Sequence, residues 1–596
     1  MKIIKAGKII LILFATVIGV LLIWTASKYI GMLKVYNKFG SNISPKTDQI
    51  FMEKKLQNTY FPREFDETSR LFYLCKVWGF VKYYHENGNG VIPNVDSVLI
   101  NAIPKAISAN NKTAYASILE SVISSIQITP PTGNNPYKNI DEYILIDNDW
   151  MKDTVCLNSM LTNKIETIFN SHTGKDNWFV HNKSSRGSVK PENEIEYKDF
   201  PDEYHRLFGL FRYWNFLNYF YVYKNLIDES WDKVLYDAIP DFRAANDDHK
   251  YRSEIYRMTS KLKDSHTALP YSVDGVVSGK YRPNFKLTNI DSTFVISRIR
   301  FPEENTEGFI LGDIVLKIDG RDVQSLWDSL SVFTSGGNYW SNQFFVCNAM
   351  LSVKDSITKF IILRDNDTIS ITSKNHTAWS LAQRYGKKII KREKEVLYKW
   401  IDEGIAYLDL EPITKNNFNR NYKPIKHAKA IILDLRCYPD YNAMIKLTDA
   451  FVPPTEFFAY GTYPDARFPG MVRYIKSSKQ IGSKDYFKGR VVILVNEWTM
   501  SYSEYLTMAI QANPNAATVG YSSSGADGNT TTLEFPGNIK TIYSGIGIYY
   551  PDFSPTQHTG VHIDHYVAPT ISDIKKGKDI VLTEVLLRSY WQLSEI

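Results

Sequence analysis

The chain has 596 residues, too many for one ordinary core, and at roughly 150 residues per domain it should divide into three or four units. Apolar residues make up 44% and charged residues 22%, the balance of a globular protein and not of a disordered one. The formal charge of +6 is spread over 70 basic and 64 acidic residues without a block of like charge, which excludes a nucleic-acid arm.

At the N-terminus Lys2, Lys5 and Lys8 precede an uncharged stretch, Ile9 to Ala26, about long enough to cross a bilayer core. Residues 1–30 are expected to form an uncleaved membrane anchor. The rival reading is a cleaved signal peptide, but the apolar run is longer than such a segment needs and no small-x-small site follows it. The positive-inside rule then keeps the lysines in the cytoplasm. A single-pass protein of the cell membrane would result, with everything after Lys28 on the outer, periplasmic or extracellular, side. Residues 31–62 are polar and weakly periodic, as a linker is.

An internal repeat follows, in regions 63–200 and 201–275. Arg70-Leu71-Phe72, Trp78, Tyr83, Val98-Leu99 and Ala102-Ile103-Pro104 recur at a constant offset as Arg206-Leu207-Phe208, Trp214, Tyr219, Val234-Leu235 and Ala238-Ile239-Pro240. Apolar residues recur every three or four positions, so each copy reads as a pair of amphipathic helices. Trp78 and Trp214 are core candidates; the alternative is an exposed aromatic platform for a partner or a glycan strand. Only the second copy ends in Lys263-Asp264-Ser265-His266-Thr267, where the first has Gln127-Ile128-Thr129-Pro130-Pro131. A packing unit needs its apolar face twice but chemistry needs a base once, which singles out His266. His172 falls outside the repeat and reads as loop.

Residues 281–374 change to short alternating strands such as Thr293-Phe294-Val295-Ile296 and Ile314-Val315-Leu316-Lys317-Ile318, the latter framed by the turn signals Gly312-Asp313 and Asp319-Gly320. The stretch from Leu311 to Val323 resembles the PDZ module, and the resemblance implies capture of extended peptide ends by strand addition. In residues 395–596 continuous apolar strands (Ile405-Ala406-Tyr407-Leu408, Ala430-Ile431-Ile432-Leu433, Val491-Val492-Ile493-Leu494-Val495) alternate with helix-length segments. That pattern is an α/β core with its sheet covered on both faces.

Acyl transfer needs an activated hydroxyl, a base, an orienting group and N–H donors for the oxyanion. Asn496-Glu497-Trp498-Thr499-Met500-Ser501-Tyr502-Ser503-Glu504 follows a buried strand and opens a helix, a place that suits a nucleophile, although a serine there can equally be an N-cap. His558, His562 and His565 lie near Asp564, but Pro555 and Gly560 deny them an aligning helix, so no metal is assigned. No phosphate-binding glycine loop occurs, and no cofactor is assigned. Cys75, Cys156, Cys347 and Cys437 lack paired spacing and read as buried thiols.

Four segments in order carry a family resemblance: Asp264-Ser265-His266-Thr267, the PDZ-like stretch, Ile432-Leu433-Asp434-Leu435-Arg436, and Thr499-Met500-Ser501-Tyr502-Ser503-Glu504. The likeness continues through Thr518-Val519-Gly520, Gly525-Ala526-Asp527-Gly528-Asn529 and Gly560-Val561-His562-Ile563-Asp564, about two thirds of the chain in all. Together they resemble the tail-specific, or C-terminal processing, serine peptidases, which implies a crotonase-like α/β core behind the helical repeats. It implies Ser501 as nucleophile, from the Ser-x-x-Glu pattern, with Ser503 as runner-up. One branch of the family uses a lysine just after the Gly-x-x-x-x-Gly turn, where this chain has Ala526; the tricorn-like branch uses a histidine before the PDZ module, which here is His266.

Glu504, one helical turn from Ser501, is the first candidate to orient the base, with Asp527 and Asp264 as alternatives and a helix-dipole role open for Glu504. The Tyr502 N–H is one oxyanion donor and Asp440, by position, the other. Where the family has Pro-Gly-Gly this chain reads Cys437-Tyr438-Pro439-Asp440-Tyr441, which brings a carboxylate toward the developing oxyanion. The expected function is hydrolysis of peptide bonds in protein or peptide substrates through an acyl-enzyme, with a peptide-binding scaffold of weakened catalysis as the alternative.

Overall fold

The computed structural model describes residues 60–86, 94–126, 143–144, 148–182, 187–267, 279–455, 457–476 and 481–587. The expected anchor, nearly all of the linker and the segment Gln127–Pro131 lie outside them. Among the described residues no helix is long and apolar enough to cross a membrane. The fold is mixed α/β with a helical N-terminal region.

The repeat builds two copies of one unit. Helices α1 (Glu67–Tyr84), α2 (Val95–Ser108) and α3 (Lys112–Ile123) make the first, and α4 (Glu203–Phe220), α5 (Trp231–Ala244) and α6 (Asp248–Ser260) the second. Each copy has three helices where the apolar pattern predicts two. The additional pair, α3 and α6, are announced by Asn111 and Asp247, whose side chains cap their first turns.

The duplication extends to individual bonds. Trp78 Nε1 donates to Val95 O at 3.1 Å and Trp214 Nε1 to Trp231 O at 2.7 Å. Arg70 donates to Ala106 O and Ile107 O, and Arg206 to Phe242 O and Arg243 O, so each guanidinium satisfies the carbonyls that end the second helix. α1 and α4 cross at Gly79, where an added Cβ would fall 1.9 Å from the Asn215 carboxamide oxygen. Trp78, Trp214 and most large aromatics of this region are buried, with Phe200 and Tyr204 exposed singly, which removes the reading of an exposed aromatic stripe.

The small β domain is a sheet of order β5-β4-β3-β2-β1, from β1 (Phe285–Ile290), β2 (Thr293–Ile299), β3 (Ile314–Ile318), β4 (Ile357–Arg364) and β5 (Asp367–Lys374). Its edge strand β1 is covered by helix α7 (Tyr339–Met350). Asp319 and Gly320, both at positive φ, make the turn that the sequence signals after β3.

The C-terminal core is a second sheet: β6 (Tyr398–Asp402), β7 (Ile405–Asp409), β8 (Ala430–Asp434), β9 (Arg490–Val495), β10 (Ala516–Gly520) and β13 (His565–Tyr566), neighbours in that order. All pairs are parallel except β6–β7, and the central strands β8 and β9 are buried nearly throughout. Helix α8 (Tyr502–Gln511) follows β9, and a hairpin of β11 (Thr530–Phe535) and β12 (Ile539–Ser544) leaves the sheet to pack on α4.

Since Trp214 is wholly buried and hydrogen-bonded, Trp214→Ala should lower the unfolding free energy by about 3–5 kcal/mol. Urea denaturation followed by circular dichroism checks this value.

Candidate active site

Ser501 stands between β9 and α8 with φ 56° and ψ −118°, a left-handed backbone that a serine adopts only when its surroundings impose it. The imposition is visible in its bonds. The Ser501 N–H lies 2.9 Å from both Ala526 O and Glu504 Oε2. Glu504 is wholly buried, and its carboxylate also accepts from Ser523 Oγ (2.6 Å), Gly525 N (2.8 Å) and Ala526 N (3.1 Å). Burial pushes its pKa up to about 7 against those donors, which favour the charged form.

Thr499 Oγ1 donates to Leu435 O at 2.8 Å and Ser503 Oγ to Cys437 O at 2.5 Å, so the Ser501 turn and the turn after β8 are stitched by two hydroxyls. Ser503, the runner-up nucleophile, is buried and spent in that bond. The Asp440 carboxylate caps the short helix Tyr441–Ala443, accepting from the Asn442 N–H and side-chain amide. It is thereby committed to its own turn. The N–H groups of Tyr502 and Asp440 have no acceptor among the described residues.

His266 is buried at the end of the second repeat. Its Nδ1 lies 2.8 Å from Ser544 Oγ, which in turn donates to Asp264 Oδ1 at 3.0 Å; Nδ1 to Asp264 itself is 3.6 Å. Asp264 further accepts the N–H of His266 (3.0 Å) and of Ser544 (2.7 Å). Because the hydroxyl proton points to the carboxylate, the imidazole carries its own proton on Nδ1 and presents a bare Nε2, which has no partner among the described residues. Burial lowers the His266 pKa, with Asp264 opposing, so the ring is neutral at pH 7.

The two halves meet on residues 523–526. Ser501 and Glu504 hold that loop from one side; from the other Ser265 Oγ donates to Ser524 O at 2.8 Å. The small β domain closes the joint: Gly337 N donates to Ser265 Oγ (2.9 Å) and Asn338 Nδ2 to Ser523 O (2.7 Å). A Cβ at Gly337 would approach Gly525 O to 2.9 Å.

Of the candidates for orienting the base, Asp264 is thus the one beside His266, while the Glu504 carboxylate is taken up by Ser501 and the 523–526 loop. Asp527, also buried, accepts from Gly528 N through Oδ1, and its Oδ2 has no partner; burial and Glu504 push its pKa well up. Ser544 was not legible in the sequence, being one of many serines and far from His266 along the chain. Ser265 could have been noticed as the neighbour of the histidine. His172 packs in the helical core against Tyr84 and Phe468 and belongs to the scaffold. Among the described residues no group of His, Cys, Asp and Glu could hold a metal ion, and all four cysteines are free and buried.

Residues 404–567 match the model of peptidase family S41. The match takes in most of the C-terminal sheet, the Ser501 turn and the 523–526 loop, and it lies within that segment of the 596-residue chain. The chain is also similar to the solved structure of mature CPAF complexed with lactacystin, at 14% identity and a TM-score of 0.51 over 66% of this chain and 99% of that one. A CPAF serine-to-alanine mutant gives 13% identity and a TM-score of 0.50 over the same shares. The photosystem II D1 C-terminal processing protease is a looser likeness, at 15% identity and a TM-score of 0.37 over 64% of this chain and 99% of that one. At these identities the likeness is one of fold. No curated protein matches the chain.

Two outcomes follow for the titrating groups. Asp264 is what raises the His266 pKa, so Asp264→Asn should move the imidazole titration, read by NMR, to lower pH than in the parent. Glu504 titrates at about 7 in the folded chain against 4.5 as a free side chain, so its contribution to stability is full below pH 4.5 and lost as pH rises through 7. A Glu504→Gln variant, which sets an amide against two N–H donors, should unfold more easily by about 1–3 kcal/mol. That deficit in urea melts should shrink toward alkaline pH.

Proposed function

We propose that the chain is a serine peptidase that cuts peptide bonds of protein substrates through an acyl-enzyme on Ser501, with His266 as base. The observation that carries this reading is the Asp264–Ser544–His266 chain, which fixes the tautomer with Nε2 bare, on the same 523–526 loop that imposes the strained Ser501 turn. In the first step Nε2 takes the Ser501 hydroxyl proton while Oγ attacks the substrate carbonyl carbon. The developing oxyanion takes the N–H groups of Tyr502 and Asp440. The imidazolium then returns the proton to the leaving amine, and a water activated at the same nitrogen releases the acyl group.

Ser544 passes the orienting effect of Asp264 to the imidazole, the part a directly bonded carboxylate plays elsewhere. The Asp440 carboxylate caps the Tyr441–Ala443 helix, and these bonds support a reading in which it stays turned from the oxyanion; the weakened-scaffold alternative is what fluorophosphonate labelling discriminates. The PDZ-like domain would take substrate tails through side chains, because its edge strand β1 is covered by α7. With residues 1–30 as an anchor, the peptidase would face the outer side of the cell membrane.

A fluorophosphonate probe should label the parent chain from residue 60 onward at Ser501 and leave Ser501→Ala unlabelled, located by peptide mass spectrometry. Cleavage of an unfolded test protein should fall by about 10⁴-fold or more in the same variant. Turnover that survives in Ser501→Ala would sink the assignment.

A further inference from the structure

Cations in this molecule are generally matched where they are shielded from water. Lys82 is held by Asp96 and Glu194, Lys76 by Asp232, and Arg364 by Asp313. The face that β1 and β2 turn toward the peptidase core breaks this pattern. Lys286, half-buried on β1, has no hydrogen bond and no ion pair among the described residues; its ammonium lies 3.1 Å from the ring centre of Trp498 and 5.7 Å from that of Phe344. Arg298 on β2 is exposed and likewise unpaired, and Arg300 spends only its Nε, on the Phe285 carbonyl at 3.2 Å.

The three repel one another. Burial and then Arg300 and Arg298 hold the Lys286 pKa well below that of a free lysine, and burial with Arg282 and Arg298 brings Arg300 down to about 10. The acids within reach do not neutralise them. Glu411 is engaged by Arg392 at 2.9 Å and by the Tyr385 hydroxyl. Glu497 is half-buried, has an unpartnered Oε2, and is pushed toward its neutral form.

The position is as informative as the charge. Trp498, which the Lys286 ammonium covers, stands three residues before Ser501 and packs edge-on against Phe344 of α7 at 4.6 Å. The β1 backbone at Asn289 is already satisfied by Gln343 and Tyr339 of α7, so recognition here falls to side chains. Unmatched cations crowded at the approach to a nucleophile lower their mutual repulsion when an anion enters.

We propose that Lys286, Arg298 and Arg300 bind an acidic stretch of the substrate polypeptide and so set the specificity of the neighbouring Ser501 site. This deepens the peptidase reading and rests on it for the word substrate. A bound carboxylate would pair with the three cations and relieve their mutual repulsion.

Two peptides of equal length serve as probes, one with Asp and Glu in its C-terminal half and the other with Asn and Gln. Binding to Ser501→Ala is read by fluorescence anisotropy, and hydrolysis by the parent is read in parallel. The acidic peptide should bind at least about tenfold more tightly at low salt, the worth of one charge-assisted contact, and lose that margin at high salt. Arg298→Glu, at an exposed position that leaves packing alone, should cancel or invert the preference. Equal binding of the two peptides, or a preference that Arg298→Glu leaves intact, overturns the proposal. Charge-selective binding without hydrolysis by the parent would keep it and defeat the peptidase reading; hydrolysis indifferent to charge would do the reverse.

Discussion

The site hangs on the Glu504 carboxylate. It is withdrawn wholly from water, a placement that costs several kcal/mol for an ion unless donors surround it, and here Ser501, Ser523, Gly525 and Ala526 supply four. Each of those donors belongs to one of the two backbone turns that must face each other. The carboxylate is therefore a rivet between the Ser501 turn and the 523–526 loop, and it imposes the positive φ of Ser501. A pKa near 7 measures how closely burial and the donor set balance.

From that rivet the remaining parts are placed by short hydroxyl links. Thr499 and Ser503 fasten the turn after β8, Ser265 fastens the histidine segment to Ser524, and Ser544 joins His266 to Asp264. Neutral hydroxyls suit this work, since a second carboxylate in so enclosed a place would raise the pKa of the first, as Asp527 and Glu504 already show. The duplicated helices provide rigidity twice over, while His266 is supplied by one copy only. The repeat is thus a frame, and its second half has been extended into the site.

Much of this was legible in the sequence for physical reasons. Matching residues at a constant offset betrayed the repeat, although α1 and α4 are buried on nearly every side and not along one amphipathic face; uninterrupted apolar runs betrayed the buried strands, and the serine at a strand-to-helix junction stood out by its place. The third helix of each unit was missed although Asn111 and Asp247 were visible caps; α6 is largely polar, while α3 carries a buried apolar face that the sequence showed. Helical spacing put Glu504 on the same face as Ser501, and that nearness is real, but spacing alone does not reveal which group a carboxylate serves. The partner of His266 came from a residue 278 positions away, a separation that no local pattern encodes. The cations of β1 and β2 were hidden for the same reason: Lys286, Arg298 and Arg300 look like ordinary strand residues until the sheet brings them to one face.

The small β domain is more than an appendage to the core. Its segment Gly337–Asn338 touches the His266 segment through Ser265 and the 523–526 loop through Ser523, and its α7 packs Phe344 against Trp498 of the Ser501 turn. The lack of room for a Cβ at Gly337 explains why glycine stands there, since any side chain would press on the Gly525 carbonyl and part the loops that Glu504 holds together. Contacts of this kind transmit displacement without slack, because close-packed side chains and short hydrogen bonds do not stretch by an ångström at low cost. A force on β1 or α7 therefore reaches Ser501 through Trp498 and reaches His266 through Ser265, so the geometry of the pair depends on where this domain sits.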